Sequence, residues 1–147
     1  MQQLSGGCHC GNIRIQMTLT QEPGTYHPRA CDCEFCRMHG AAYVSDPKGS
    51  VSLHIRDPRQ RGSYHQGSGQ ADLVYCRHCG VLIGALYLDA GRCFATVNSR
   101  AVTANSMAGT ALFGQEQSVS PQALSPEQKV GRWRDIWFSN VSIVTGA

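Results

Sequence analysis

Seven of the eight cysteines in this 147-residue chain fall into three tight clusters. They are Cys8-His9-Cys10, Cys31-Asp32-Cys33-Glu34-Phe35-Cys36 and Cys76-Arg77-His78-Cys79. C-x-C and C-x-x-C are metal-ligand spacings, so the fold must bring these thiols together around ions. A chain of this length buries a core without disulfide staples and is expected to form one domain over residues 1–147. Met1 to Gly7 has no apolar leader pattern, and the longest apolar run, Val81 to Leu88, is too short to span a bilayer. The expected setting is therefore cytoplasmic, without a membrane, where thiols stay reduced and serve as ligands.

Charge points the same way. The formal net charge of +3 counts every thiol as neutral, whereas zinc-bound cysteines are thiolates. Seven thiolates on two Zn²⁺ ions would bring the chain to neutrality. The densest basic group, Arg56, Arg59 and Arg61, is broken by Asp57 and Pro58 and reads as a solvated loop. The sequence thus argues against a nucleic-acid partner.

Between the clusters the pattern is that of short strands. Ile13, Ile15, Met17 and Leu19 alternate with polar residues over Asn12 to Leu19, predicting a strand with one buried face. Thr25–Ala30, Ala41–Val44, Val51–Ile55, Gly62–His65, Asp72–Tyr75, Val81–Leu88 and Cys93–Val97 are further strand segments. Turns are expected at Gln21 to Gly24, Asp46 to Gly49 and Gln66 to Gly69. Arg37 to Gly40 reads as a brief helical turn, and Ser99 to Gln117 carries no assignable pattern. Ser125-Pro126-Glu127-Gln128 has the form of a capping box opening a short helix, weakened by Gly131. Trp133, Ile136, Trp137 and Phe138 are expected to pack in the core rather than to stack on a ligand. The result is a mainly β chain with one or two short helices.

The thiols pair in more than one way. Cys33 and Cys36 with Cys76 and Cys79 would make a zinc ribbon, although the two knuckles are far apart in sequence. Alternatively, Cys8 and Cys10 join Cys76 and Cys79, and one local feature favours this. Cys10 and Cys79 are each followed by glycine, whose freedom at positive φ lets the turn fold back and aim N–H groups at the sulfurs. Cys31, Cys33 and Cys36 then hold a second ion. Three protein ligands with an open position is the catalytic pattern, and a fourth from His39, Cys93 or Asp32 would close it. Cys93 otherwise reads as a small apolar residue. His9 and His78 point to solvent inside their knuckles, and His27 and His54 carry no signal.

Gly7-Cys8-His9-Cys10-Gly11, Cys31-x-Cys33-x-x-Cys36-Arg37, Tyr75-Cys76-x-x-Cys79-Gly80 and Val97-Asn98-Ser99-Arg100, in this order, resemble the glutathione-dependent formaldehyde-activating enzyme family, whose domain group includes centromere protein V. The resemblance implies an Mss4-like fold of short antiparallel strands around a structural zinc on Cys8, Cys10, Cys76 and Cys79. It also implies a catalytic zinc on Cys31, Cys33 and Cys36. The segment Cys36 to Gly40 is compressed relative to that of many members, and no element reads as a glutathione pocket.

Three thiolates make an anionic zinc site, a weak activator of water that favours a soft fourth ligand such as an incoming thiol. The sequence and the resemblance together predict a carbon–sulfur lyase acting on thiol–aldehyde adducts, of the S-(hydroxymethyl)glutathione synthase type. Its partners would be a small thiol such as glutathione and an aldehyde. His39, Arg37, Tyr64 and His65 are the expected donors to the developing alkoxide. Two alternatives stand beside it: a zinc-stabilised binding module without chemistry, and a hydrolase or imine-cleaving enzyme using zinc-bound water.

Overall fold

The computed structural model describes residues 2–102 and 112–146. The alternating run folds as expected: β2 (Ile13–Leu19) buries Ile13, Ile15, Met17 and Leu19 and turns Arg14 and Gln16 outward. It lies antiparallel to β1 (Gln2–Gly7) on one side and to β5 (Ser50–Ile55) on the other, with Met17 opposite Leu4 and Val51. β11 (Asn140–Thr145) adds to β5 in parallel, completing a four-stranded sheet in the order β1-β2-β5-β11.

Seven strands form the second sheet. In spatial order they are β10 (Gln117–Val119), β3 (Arg29–Cys31), β4 (Tyr43–Val44), β9 (Arg92–Asn98), β8 (Leu82–Asp89), β7 (Asp72–Cys76) and β6 (Arg61–Tyr64). Alternation along its central strands divides the apolar side chains between two cores. Val74, Ile83, Leu86, Ala95 and Val97 face the smaller sheet and pack with Ile13, Ile15 and Phe138. Their neighbours Leu73, Leu82, Ala85 and Phe94 face the other way, onto Val130, Trp133 and Trp137. Burial on both faces explains why Leu82 to Leu86 reads as a nearly unbroken apolar run.

Two helices complete the architecture. α1 (Glu34–His39) is N-capped by Cys33 and ends at Gly40 in the left-handed region, φ +61°. α2 (Pro126–Ile136) opens with the expected capping box, in which Gln128 N–H donates to Ser125 Oγ at 3.1 Å and Ser125 N–H to Gln128 Oε1 at 2.9 Å. Gly131 lies on its exposed side with nothing nearby, so the helix runs through it. The turns at Asp46 and Gln66 close with hydrogen bonds of 3.0 Å each, from Gly49 N–H and Gly69 N–H.

Several elements depart from expectation for local reasons. The helix around Cys36 begins at Glu34 rather than Arg37, because the Cys33 side chain caps it. The strand expected over Thr25–Ala30 shrinks to Arg29–Cys31: Pro23–Thr25 is a 3₁₀ turn, and Pro28 has no N–H for a ladder. β1 and β11 carry no readable strand pattern, being edge strands with only Leu4 fully buried between them. β11 and β10 pair in parallel, so the sheets are antiparallel-rich rather than wholly antiparallel. In the unassigned stretch Ser99–Gln117, Ser99–Ala101 is a 3₁₀ turn and β10 begins at Gln117; residues 103–111 lie outside the described set.

Candidate metal centres and the cavity beside one of them

The fold resolves the pairing of the thiols. Cys8, Cys10, Cys76 and Cys79 place their Sγ atoms within 4.8 Å of one another, from the β1–β2 and β7–β8 connections. The loops are built alike. Cys8 N–H donates to Ile13 O at 2.9 Å and Gly11 N–H to Cys8 O at 3.2 Å; Cys76 N–H donates to Val81 O at 3.0 Å and Gly80 N–H to Cys76 O at 2.8 Å. Gly11 and Gly80 take φ of +85° and +83°, with open space where a Cβ would stand, so conformation and not crowding requires glycine there. Cys8–Cys10 and Cys10–Cys76 sulfur distances are both 3.6 Å. A zinc tetrahedron with Zn–S of about 2.3 Å has edges of about 3.8 Å, so the set fits a four-coordinate ion.

Backbone donors point at these sulfurs, with Ile13 N–H 3.2 Å from Cys8 Sγ. Burial pushes the Cys76 thiol up to about 12. Burial also opposes ionisation of Cys79, but the N–H groups of Cys10 and Val81 and the neighbouring thiols outweigh it and draw Cys79 down to about 6. Thiols crowded this closely cannot all ionise without a cation among them.

The second cluster has a different frame. Cys31 ends β3, Cys33 caps α1, and Cys36 sits in its first turn, bringing three Sγ atoms within 4.8 Å. Cys36 N–H points at Cys33 Sγ, 3.4 Å away. Hydrogen bonding from Cys36 leads the effects that pull Cys31 down to about 6, and the same contact drives Cys36 well above the thiol range. Among the described residues no fourth Cys, His, Asp or Glu joins the set. The Asp32 carboxylate accepts from Ser120 Oγ at 2.5 Å and Gln122 Nε2 at 3.2 Å. The His39 ring packs against Phe35, and Cys93 lies with the other core.

All three cysteines line a cavity of about 380 Å³. Its apolar wall includes Leu73, Ala85, Trp133 and Trp137. Trp133 and Trp137 stack at 4.9 Å and are 8% and 6% exposed, so they belong to the core as expected and also line the cavity, which was not expected. The polar lining includes Tyr43, Arg29, Gln66, Lys129 and Arg132. Tyr43 Oη lies 3.2 Å from Cys36 Sγ, and burial, with the charge of Cys36, pushes its phenol far above the ordinary tyrosine range. It stays protonated and can donate.

Of the residues singled out in the sequence, the seven clustered cysteines are brought together as two sets, four and three. Arg37, His39, Tyr64 and His65 are all exposed, and none of the four lines the cavity. His39 and Tyr64 both pack on Phe35, which lines it, at 4.7 and 5.2 Å. The polar groups that do line it were missed. Arg29 had a signal: two residues before Cys31 on an extended segment, it shares that cysteine's side. Tyr43 had none, because an aromatic in an apolar strand reads as core. Asn98 and Arg100 each tie down a backbone carbonyl of another segment. Asn98 Nδ2 donates to Leu82 O at 3.0 Å, and Arg100 Nε to Gly40 O, at the end of α1, at 3.2 Å.

A mainly β architecture of antiparallel-rich sheets carrying two cysteine clusters that can hold metal is the Mss4-like arrangement. The family model for the glutathione-dependent formaldehyde-activating enzyme matches residues 3–122, and the chain belongs to that family. It is also similar to a Rhodobacter sphaeroides protein of known crystal structure, at 25% identity over 74% of this chain and 91% of that one, with a TM-score of 0.48. Among the described residues no helix is long and apolar enough to cross a membrane.

Proposed function

We propose that this protein is a zinc-dependent carbon–sulfur lyase that makes and breaks adducts between a small thiol and an aldehyde. One observation carries the reading: a three-thiol cluster without a fourth protein ligand, among the described residues, faces a cavity lined by hydrogen-bond donors. Family membership supports glutathione and formaldehyde as the first pair to consider. A zinc ion on Cys31, Cys33 and Cys36 would supply a soft Lewis acid able to hold a substrate sulfur as its thiolate. A second zinc, on Cys8, Cys10, Cys76 and Cys79, would be structural. A reducing, cytoplasmic setting is the one in which such clustered thiols serve as metal ligands.

The chain's own residues supply the rest. In the forward direction the sulfur–carbon bond forms at the aldehyde carbon, the carbonyl π bond breaks, and the proton released by the thiol ends on the new hydroxyl. With a metal held by the cluster, Tyr43 Oη, 3.2 Å from Cys36 Sγ, would donate to that sulfur and hold it as a thiolate. Gln66, whose Nε2 lies 3.9 Å from Cys33 Sγ, is the donor that would meet the developing oxyanion. The Trp133–Trp137 wall excludes water that would compete for the carbonyl. The exposed His39, Arg37, Tyr64 and His65 are assigned no contact with substrate.

Magnetisation-exchange NMR tests this directly. Glutathione and formaldehyde should interconvert with their hemithioacetal faster with the protein than without it. Cys33→Ala should abolish the acceleration. Equal exchange with wild type, variant and buffer would refute the lyase reading.

A further inference from the structure

Arg29 is a cation that the proposed chemistry leaves without a role. Its Nη2 donates to Ser45 Oγ at 2.7 Å and to Thr96 Oγ1 at 3.2 Å. Both hydroxyls are themselves anchored, Ser45 Oγ donating to Ile136 O at 2.6 Å and Thr96 Oγ1 to Val44 O at 3.2 Å. The guanidinium is therefore held in one place by neutral acceptors. Among the described residues no carboxylate lies within ion-pair distance of it, and its other nitrogens make no hydrogen bond. Among the described residues no fully buried side-chain nitrogen is left without a partner, so those nitrogens keep access to the cavity that Arg29 lines.

Two more cations line the cavity against one carboxylate, the exposed Glu34. Arg132 lines the same cavity as Arg29. Lys129, three residues earlier on the same face of α2, lines the cavity too, and neither Lys129 nor Arg132 has an ion-pair or hydrogen-bond partner among the described side chains. Holding several partly desolvated cations together is costly unless an anion joins them. A guanidinium offers parallel N–H groups that match the two oxygens of a carboxylate. A metal-bound sulfur is a single soft acceptor and does not.

We infer that Arg29, backed by Arg132 and Lys129, is an anion pocket that selects thiols bearing a carboxylate, which it anchors while the sulfur occupies the open position of the three-thiol cluster. Arg29 thus serves as a specificity residue, and the inference rests on the lyase reading for where the sulfur goes.

The test uses cobalt-substituted full-length protein and three small thiols of similar length: mercaptopropionate, mercaptopropanol and cysteamine. Sulfur-to-cobalt charge-transfer bands report binding. The carboxylate thiol should bind about tenfold or more tightly than the neutral one, with cysteamine weakest. Arg29→Gln should erase the preference and leave mercaptopropanol unchanged. Arg132→Gln, on a half-exposed helix position, should reduce it and guards against a folding defect at Arg29. Equal affinities for the three thiols, or a preference that survives both variants, would overturn the pocket. The S-methyl ether of mercaptopropionate separates this inference from the lyase reading, since it keeps the carboxylate but has no thiol. Thermal stabilisation by this ether that Arg29→Gln abolishes supports the pocket even if no thiol reaches cobalt. If neither the ether nor any thiol depends on Arg29, the pocket is refuted.

Discussion

The two thiol clusters offer the same ligand atoms in opposite surroundings. The four-thiol set joins two glycine-backed loops, Cys8–Gly11 and Cys76–Gly80, at the rim of the core between the sheets, and none of its residues lines the cavity. The three-thiol set is mounted on a strand end and a helix N-cap in the second core, and all three residues line it. One set spends its fourth position on another cysteine, tying residues nearly seventy positions apart into a single knot. The other keeps its thiols local in sequence, so the fold needs them less, and no fourth Cys, His, Asp or Glu joins them among the described residues. The job of a thiolate-bound metal is decided by what meets that fourth position.

The largest effect should come from breaking the knot. Cys8→Ala or Cys79→Ala should unfold the protein, because a structural zinc contributes roughly 10 kcal/mol or more of folding free energy. Cys36→Ala should leave a folded chain with one zinc and no lyase activity. Circular dichroism melting with metal analysis on the three variants checks both. Equal collapse of all three would erase the distinction between the sites.

The contrast between the clusters was partly legible in the sequence. Glycine after Cys10 and Cys79 marked the matched loops because a positive φ leaves a residue-level trace. Alternation from Ile13 to Leu19 marked β2, and the capping box marked α2, for the same reason. The cavity was not legible. Its lining is assembled from β3, β4, the Gln66 turn and α2, and only tertiary packing brings Arg29, Tyr43, Gln66 and Arg132 together. The four expected donors lie outside it: Arg37 and His39 sit on the exposed side of α1, and Tyr64 and His65 are exposed at the end of β6 and just beyond it. Edge strands β1 and β11 escaped notice because they contribute backbone ladders and few buried side chains.

A smaller effect sharpens the comparison from the side of pure structure. Asp46, 5% exposed, accepts from Thr20 N–H at 2.9 Å, Thr20 Oγ1 at 2.7 Å, Tyr26 Oη at 2.6 Å and Lys48 N–H. Burial raises its carboxyl, but these donors outweigh it and hold it at about 2, below its ordinary 3.8. A depressed folded-state value contributes stability that is complete above about pH 4 and fades as the pH falls through about 2. At pH 7 the whole contribution is present, so Asp46→Asn should cost about 2 kcal/mol in a denaturant titration without changing zinc content. An unchanged midpoint would contradict it.

The smallest effect belongs to the cysteine outside both clusters. Cys93 is half-buried against the first core, and burial alone raises its thiol. Cys93→Ala should shift stability by about 1 kcal/mol or less and keep both zinc ions and any activity. Loss of one zinc in this variant would make Cys93 the missing fourth ligand and close the second site.

The division of labour is tested most directly by following zinc release from the wild-type protein under a mild chelator, with folding monitored in the same sample. Two ions per chain are predicted. One should leave quickly while the protein stays folded, and glutathione should slow its release by filling the open position. The other should leave only with unfolding. A single ion per chain, or two ions that depart together as the protein unfolds, would contradict the account.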